Sequence, residues 1–437
     1  MKKRETFSSN MGFVMACTGA AIGLGNLWMF PWRLGQYGGA AFLIPYLIFV
    51  YILGTTGLMG EWAYGRWAKK GAMGAYDKVL RPKGMKFGRI LGAYPVITMW
   101  TMVFFYAVVT GWLLRYLFAS VTGAYMEVDD VGQFFGEFAG QAGTIPWMIL
   151  ALLASLGIIV FGISKGLERA NLIFIPIILG LFLLLVVRSV TLPGAIEGIK
   201  YIFIPDWSYL LKPITWGVAL GQAFFSISLN GCGMLVFGSY LKRSADIPAS
   251  ALQTVTLDTF AALLATLMII PAVFAFGLDP ASGPPLLFIT LPELFRAMPG
   301  GQFFGTVFFA SVFLAAITSL IAMIEPAVEG LMDQFNWRRK KSVLLVIALS
   351  IICAIPLALD MDRFTAFVDL ITVYIAPGGA VIAAVLFFWV FGIDKARAEI
   401  NDGAKRLIGP WWNPVAKYVF VIIASLVVVL QIMVGIG

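Results

Sequence analysis

Long apolar runs separated by short polar stretches dominate the pattern along the chain. A run of about 18 or more apolar residues is long enough to cross a bilayer as a helix. Several runs are longer than a bilayer requires, which indicates tilted helices. We predict an all-α integral membrane protein with eleven transmembrane helices, called spans 1–11 here, at residues 10–35, 39–67, 88–120, 144–163, 166–190, 213–242, 250–277, 302–335, 341–358, 362–392 and 411–436.

Two of these spans contain residues that interrupt helices. Span 1 includes GAAIGLGNLWMFPW at residues 19–32, and span 6 includes GQAFFSISLNGCGMLVFGSY at residues 221–240. Unwound backbone exposes carbonyl groups that bind cations and N–H groups that attract anions. Breaks at the first and sixth spans favour two inverted five-helix repeats with a site near the middle of the membrane. The alternative is that the glycines only allow close helix packing.

The repeat hypothesis sets the expected domains. Residues 1–190 are the N-terminal half with the first five-helix repeat, and residues 191–392 form the second, inverted repeat. Residues 393–437 are predicted to be a cytosolic loop followed by span 11.

The distribution of charged residues predicts the orientation of the chain in the membrane. The net charge is +8, and Lys and Arg concentrate in alternate loops, whereas the stretch 121–143 contains only acidic charges. The positive-inside rule then predicts a cytoplasmic N-terminus, and an odd number of spans puts the C-terminus outside. The basic charge thus indicates a multi-pass protein of the inner (plasma) membrane, surrounded by lipid, rather than a nucleic-acid-binding protein.

Composition excludes several kinds of chemistry. The 437 residues are 60% hydrophobic and 12% charged, with no histidine and three cysteines. Cys17, Cys232 and Cys353 have no CxxC spacing, which argues against a zinc site. Without a metal cluster, a histidine base or a nucleophile motif, we expect no enzyme activity.

Polar residues inside apolar runs are the candidate functional groups. They are Asn26, Ser226, Ser228, Asp258, Thr318 and Ser319. Asp258 is the strongest candidate, because a carboxylate in a membrane is costly and is usually functional. Oxygen ligands of these types suit a hard cation. The Thr318–Ser319 pair is a weaker signal, since hydroxyls often bond back to their own helix.

Five segments, in order along the chain, carry a recognisable pattern: NMGFVMACTGAAIGLGNLWMFPW at residues 10–32, FYAVVTGW at 105–112, GISKGLER at 162–169, GQAFFSISL at 221–229 and AAITSLIAMIEP at 315–326. Together they resemble the neurotransmitter:sodium symporter family, and most closely its bacterial amino-acid transporters with eleven spans. The resemblance covers nearly the whole chain in order.

The resemblance implies two sodium ions. The first would bind to Ala21, Asn26, Ser226 and Asp258, and the second to Gly19, Ile22, Ala315, Thr318 and Ser319.

It also implies where an amino-acid substrate would bind. The carboxylate would meet N–H groups near Leu24 and Gly25 and the Tyr106 hydroxyl, and the amine would meet carbonyls near Ala20, Phe225 and Ser228. Gly23 favours a substrate that brings its own carboxylate, because monoamine carriers have an aspartate there. Ser226 also belongs to the implied substrate site. The side-chain pocket would be lined by Met102, Phe225, Gly231, Ala322 and Met323, with Gly231 leaving room for a bulky or aromatic side chain.

The same resemblance implies which residues close the cytosolic side of the transporter and which residue supports the interrupted helices. Arg4 would pair with Asp333 near Tyr240 on the cytosolic side, and Glu61 would hydrogen-bond the unwound backbone. For Arg4, the alternative is a simple positive-inside charge.

The chain departs from the family pattern at three gate and ion positions. Met29 occupies the place of the usual outer-gate arginine, so we hypothesise that Arg33, one turn later, pairs with Asp362 instead. Asp258 replaces an asparagine, and Ala262 replaces the serine of chloride-dependent members, which predicts chloride-independent transport.

These features predict a Na⁺-coupled amino-acid symporter that works by alternating access as a monomer, with hydrophobic or aromatic L-amino acids as substrates. Two alternatives stay open: a proton-coupled or amine carrier that uses Asp258, and a non-transporting nutrient sensor on the same fold.

Overall fold

The described part of the protein is helical. The structure, a computed structural model, describes residues 4–278 and 286–434, and within these ranges there is no strand beyond an isolated bridge between Gly39 and Pro205. Lys2, Lys3 and the last predicted residues of span 11 lie outside the described residues. The helices are α1 (Asn10–Ala21), α2 (Gly25–Gln36), α3 (Ala40–Ala68), α4 (Ala72–Leu80), α5 (Gly88–Thr122), α6 (Val131–Gly136), α7 (Thr144–Ile159), α8 (Ile163–Val190), α9 (Ala195–Phe203), α10 (Pro213–Ser226), α11 (Gly233–Ser239), α12 (Ile247–Ala275), α13 (Leu291–Ala297), α14 (Gly301–Phe335), α15 (Arg339–Ala358), α16 (Met361–Asn401) and α17 (residues 412–434).

Helices occupy each segment predicted to cross the membrane, but not all of them are long. Within the described residues, seven helices are long and apolar enough to cross a bilayer, or eight if α1 and α2 count as one span bent by 55°. The other predicted spans correspond to α7, the interrupted pair α10 and α11, and α17. The chain is therefore built from several apolar helices, while the count of eleven stays a prediction.

Helices α4, α6, α9 and α13 form outside the predicted spans, and α16 is longer than predicted. Helix α4 forms in the polar stretch between spans 2 and 3, and α16 continues to Asn401, past the predicted end of span 10 at residue 392. Both segments contain good helix-forming residues but too few apolar residues to be recognised as spans.

The broken helix α1 lies inside the bundle. It packs against α8, α12 and α14, and α14 in turn runs along α5. Most residues of α1 are buried, including Cys17, Thr18 and Gly19. A polar feature of α1 therefore faces protein on several sides rather than lipid, which is where irregular backbone can be tolerated in a membrane.

Close helix contacts are made through glycine. A Cβ atom at Gly65 of α3 would lie 1.9 Å from the Leu235 carbonyl oxygen of α11, and one at Gly238 would lie 2.4 Å from the Trp62 carbonyl oxygen. The two backbones can approach this closely only because both positions lack side chains. In a bilayer such close packing replaces the hydrophobic effect as a source of helix association. Helix α11 is thereby held against α3.

We expect Gly65→Ala to lower the free energy of unfolding by about 1–3 kcal/mol, because its methyl group would force the α3 and α11 backbones apart. Gly180→Ala on α8 is the matched control, since a Cβ there meets no atom within 4 Å. Thermal unfolding of both variants in the same detergent measures the difference. Equal melting temperatures for the two variants would contradict this account of the contact.

Candidate functional site

The two interruptions in the helices face each other. Helix α1 ends at Ala21 and the chain resumes helical structure at Gly25, while α10 ends at Ser226 and α11 begins at Gly233. Ser228, in the second interruption, has a left-handed backbone with φ 56°. Its hydroxyl donates a hydrogen bond of 3.0 Å to the Ala20 carbonyl. The interruptions of spans 1 and 6 thus form one irregular region inside the bundle.

A buried carboxylate lies next to this region. The Asn26 amide donates a hydrogen bond of 2.8 Å to one Asp258 carboxylate oxygen, and the Ser226 hydroxyl donates one of 2.7 Å to the other. All three side chains are at most 1% exposed. Among the described residues, Asp258 forms no ion pair. Neutral donors therefore contact a buried acid that has no countercharge in the described part of the chain, and a cation bound to its oxygen atoms would supply that charge.

A second group of oxygen atoms joins α14 to the end of α1. The Ser319 hydroxyl donates to the Ile22 carbonyl at 3.2 Å and lies 3.4 Å from the Gly19 carbonyl oxygen. Thr318 donates to the Ala315 carbonyl of its own helix at 2.8 Å. The structure brings together all five residues of the second predicted ion site, and its hydroxyl and carbonyl oxygens are suitable ligands for Na⁺. The Thr318 hydroxyl thus bonds back to its own helix, which is what a purely structural role of this hydroxyl would give.

A cavity adjoins the second group through Ser319, and it lies near the first group through Gly25 and Phe225, the chain neighbours of Asn26 and Ser226. It is lined by nine of the predicted substrate residues, Ala20, Gly23, Leu24, Gly25, Met102, Tyr106, Phe225, Ser228 and Met323, and by Ala21 and Ser319 of the predicted ion sites. Further lining comes from residues that the sequence did not single out for a pocket, among them Met99, Leu229, Asn230, Thr372, Ala376 and Ala380.

One end of the cavity is built around Gly23. A Cβ there would lie 2.5 Å from the Ser319 hydroxyl oxygen and 2.8 Å from the Tyr106 hydroxyl oxygen, so a side chain would displace both groups. The Leu24 N–H donates to the Tyr106 hydroxyl at 3.4 Å. The Phe225 ring lies against Gly25 and is 38% exposed. The Leu24 N–H and the Tyr106 hydroxyl thus meet at this end, and two such donors are suited to a carboxylate.

Three residues predicted for the substrate site do not line the cavity. Ser226 bonds to Asp258 instead, and Ala322 is buried elsewhere in α14. Gly231 has φ 79°, and a Cβ there would lie 2.1 Å from the Gly379 carbonyl oxygen. The prediction that Gly231 gives room for a bulky substrate is therefore wrong: the glycine allows α16 to approach the backbone, and its neighbour Asn230 faces the cavity.

Glu61 of α3 holds the interruption of span 6. Its carboxylate accepts hydrogen bonds from the Gly231 N–H at 2.8 Å and the Leu235 N–H at 3.2 Å. The Leu235 N–H lies in the first turn of α11, where backbone N–H groups have no partner within the helix, and Gly231 lies in the interruption just before it. Glu61 therefore satisfies backbone groups that a membrane would otherwise leave without a partner.

At the end of the bundle where the chain begins, the ion pair of Arg4 differs from the prediction. Arg4 binds Glu329 at 2.8 Å and the Ser239 hydroxyl at 2.6 Å, and its guanidinium lies over the Tyr240 ring. Asp333 instead lies 3.5 Å from Lys70. Glu329 and Asp333 are one turn apart on the same face of α14. Arg4 lies at the level of Glu329 along the axis of this helix, so it pairs with Glu329.

The predicted pair of Arg33 and Asp362 is also not formed. Arg33 is 4% exposed and donates a hydrogen bond of 2.7 Å to the Gln222 side chain. Gln222 in turn donates to the Gly25 carbonyl at 3.1 Å. Asp362 is exposed at the start of α16. The guanidinium is thus already held by a neutral partner of span 6, which links it to the interruption of span 1.

Comparison with known proteins identifies the family of the chain. The profile of the sodium:neurotransmitter symporter family matches residues 4–128 and 135–436. The chain belongs to this family. It is 34% identical to an uncharacterized sodium-dependent transporter of Methanocaldococcus jannaschii, over 98% of this chain and 90% of the relative. Identity to the uncharacterized sodium-dependent transporter YhdH of Bacillus subtilis is 32%, over 92% of both chains.

A solved structure of similar fold carries a ligand. The crystal structure of MhsT in complex with L-phenylalanine superposes with a TM-score of 0.87 at 32% identity, covering 98% of this chain and 99% of MhsT. The chain is therefore a multi-pass membrane protein of a sodium-coupled symporter family, and its family and fold are those of secondary transporters rather than of enzymes.

Several residues at the site were not found from sequence. Glu329 and Gln222 are polar residues in apolar runs, a signal that was present but not used. Asn171 of α8 is another: its amide nitrogen donates to the Leu167 carbonyl at 2.8 Å, and its buried carbonyl oxygen lies against Gly19. A search for every polar side chain within the apolar runs would have found all three.

The contacts of Arg4 lead to a test by hydrogen exchange. The Phe7 N–H donates to the Tyr240 carbonyl and the Ser8 N–H to Glu168, next to the Arg4–Glu329 pair. We expect Glu329→Gln to speed exchange of the amides of residues 7–13 by roughly threefold to tenfold, because the charged partner of Arg4 is lost. Asp333→Asn is the matched control. Faster exchange in the control, with no change in Glu329→Gln, would restore Asp333 as the partner.

Proposed function

We propose that this symporter couples the entry of Na⁺ to the uptake of an amino acid by alternating access. The observation that carries the proposal is the uncompensated carboxylate of Asp258, buried between spans 1, 6 and 7 beside a cavity formed at two helix interruptions. A cation bound there would neutralise the carboxylate, and the adjoining cavity would hold the second solute.

Two Na⁺ ions are proposed. The first would bind Ala21, Asn26, Ser226 and Asp258, and the second would bind Gly19, Ile22, Ala315, Thr318 and Ser319. The hydrogen bonds that join Asn26, Ser226 and Asp258 support the first assignment. The hydrogen bonds from Thr318 and Ser319 to the carbonyl oxygens of Ala315, Gly19 and Ile22 support the second. Because the second group joins α14 to α1, an ion there would hold the two helices together and its loss would let them separate.

The substrate is proposed to be a hydrophobic or aromatic L-amino acid. Its carboxylate would meet the N–H groups near Leu24 and Gly25 and the Tyr106 hydroxyl, where Gly23 leaves no place for an acidic side chain of the protein. Its side chain would extend toward the methionines of the cavity, which adapt to different shapes. L-Phenylalanine in the complex of MhsT supports an amino acid as the class of substrate.

The arrangement in the membrane is proposed as predicted from sequence. It has eleven spans, two inverted repeats within residues 1–190 and 191–392, a cytosolic loop followed by span 11 in residues 393–437, a cytosolic N-terminus and an external C-terminus in the plasma membrane. Arg4, Glu329 and Tyr240 would then close the cytosolic side. Bound Na⁺ would favour the outward-open state. Substrate binding would then allow the external side to close, and loss of the second Na⁺ ion to the cytosol would release the substrate inward.

A binding assay tests the central claim. We expect amino acids to raise the melting temperature of the purified protein in Na⁺ but not in K⁺. Asp258→Asn should raise the half-saturating Na⁺ concentration about tenfold or more, since a charged ligand is lost. Asp206→Asn, at an exposed carboxylate outside the spans, is the control. An unchanged Na⁺ titration in Asp258→Asn would exclude the first ion site.

Chloride independence has its own test. Asp258 supplies a fixed negative charge, and Ala262 on the next turn carries no hydroxyl for chloride. We expect equal initial uptake into proteoliposomes in sodium chloride and in sodium gluconate. Uptake that requires chloride would show that the Asp258 carboxylate does not replace the anion.

Two other functions predict different results in the same assays. A proton-coupled or amine carrier that uses Asp258 would accumulate substrate in Na⁺-free buffer under a pH gradient. A nutrient sensor on this fold would bind the amino acid but give no counterflow in proteoliposomes. Na⁺-dependent counterflow of an amino acid, without accumulation in Na⁺-free buffer, excludes both.

A further inference from the structure

Asn230 is a polar side chain that both caps a helix and faces the cavity. It lies in the interruption between α10 and α11. Its side-chain oxygen accepts hydrogen bonds from the Cys232 N–H at 3.1 Å and the Gly233 N–H at 2.9 Å. These donors belong to the first turn of α11, so the oxygen supplies partners that the helix cannot provide.

This cap fixes the direction of the amide group. Since two N–H donors point at one end of the side chain, that end must be the oxygen, and the NH₂ group must point the other way. The NH₂ group contacts the Met99 sulfur at 3.5 Å, and a thioether is a weak acceptor. The two N–H bonds of the amide therefore have no strong acceptor among the described residues.

The position of Asn230 is also fixed by the backbone. A Cβ at Gly379 would lie 2.2 Å from the Asn230 carbonyl oxygen, so α16 packs directly against this residue. Around the amide, the cavity is mostly apolar, with Met99, Leu229, Ala376 and Ala380 among its lining. A fixed donor in apolar surroundings discriminates strongly, because a ligand that cannot accept its hydrogen bond leaves it without a partner.

We propose that Asn230 selects substrates by donating a hydrogen bond to an oxygen atom in the substrate side chain. The inference rests on the proposed function, with the amino-acid carboxylate at the Gly23 end of the cavity. The preferred amino acids then carry an ether, hydroxyl or carbonyl oxygen on an otherwise apolar side chain. Purely hydrocarbon side chains of the same shape bind less tightly.

Matched ligand pairs test the proposal on the wild-type protein. O-methyl-L-tyrosine and 4-ethyl-L-phenylalanine have the same number of non-hydrogen atoms and differ by the exchange of one ether oxygen for a methylene group, as do O-methyl-L-homoserine and L-norleucine. In saturating Na⁺, we expect the oxygen-containing member of a pair that binds to have an affinity about tenfold higher. Equal affinities within each pair would overturn the proposal without any variant.

Asn230→Asp separates donation from capping. Its carboxylate still accepts from the Cys232 and Gly233 N–H groups but has no N–H to donate, so the preference for the oxygen-containing ligand should disappear. These ligands accept at that oxygen but cannot donate, so the new carboxylate cannot bind it. Met99→Leu removes the sulfur contact and keeps the donor, so a change in the cavity wall should alter the affinities of both members of a pair alike and the preference should persist. A preference kept by Asn230→Asp would overturn the proposal.

The failure of the proposed function gives a different result. If no amino acid binds the wild-type protein in Na⁺, the function is wrong. If amino acids bind but neither pair shows a preference, only the role of Asn230 is wrong. Thermal unfolding and a Na⁺ titration of Asn230→Asp check that the variant is folded.

Discussion

The hydrogen-bonded carboxylate of Asp258 is the constraint on which the rest of the site depends. Removing a charge from water into a protein interior costs several kcal/mol, and hydrogen bonds from Asn26 and Ser226 offset only part of this cost. These three residues belong to spans 1, 6 and 7, so the same bonds that stabilise the carboxylate also join three segments. A bound cation would complete this arrangement, which explains in physical terms how ion binding and helix arrangement can be coupled.

The arrangement of polar groups around the two interruptions depends on several glycines, because each lets other atoms come closer than a side chain would allow. Because Gly23 has no side chain, the Ser319 and Tyr106 hydroxyls can lie next to it, and for the same reason the Phe225 ring packs against Gly25. Gly231 admits the backbone of α16, while Gly65 and Gly238 bring α3 against α11. Close packing and binding are therefore not alternatives in this protein. The interruptions need rigid surroundings, and glycine contacts provide them.

The two ends of the bundle are held by different chemistry. Arg4 pairs with the carboxylate of Glu329, whereas Arg33 is held by the neutral amide of Gln222. Within residues 4–278 and 286–434 Arg33 forms no ion pair, and Gln222 connects it to the Gly25 carbonyl. An ion pair therefore holds the segments together near Arg4. Near Arg33, hydrogen bonds through Gln222 connect the guanidinium to the interruption of span 1.

The sequence by itself determined the helical membrane class, the family, the two interrupted spans and the polar residues that meet there. Apolar run length and helix-breaking residues are local properties, so they can be recognised without a structure. Only the tertiary structure decided that Arg4 binds Glu329 rather than Asp333, and that Asn230 rather than Gly231 faces the cavity. Helical periodicity places Glu329 and Asp333 on one face, but the axial offset between packed helices selects which of them meets Arg4. The backbone twist at the interruption, which no periodicity predicts, sets which of two neighbouring residues points inward.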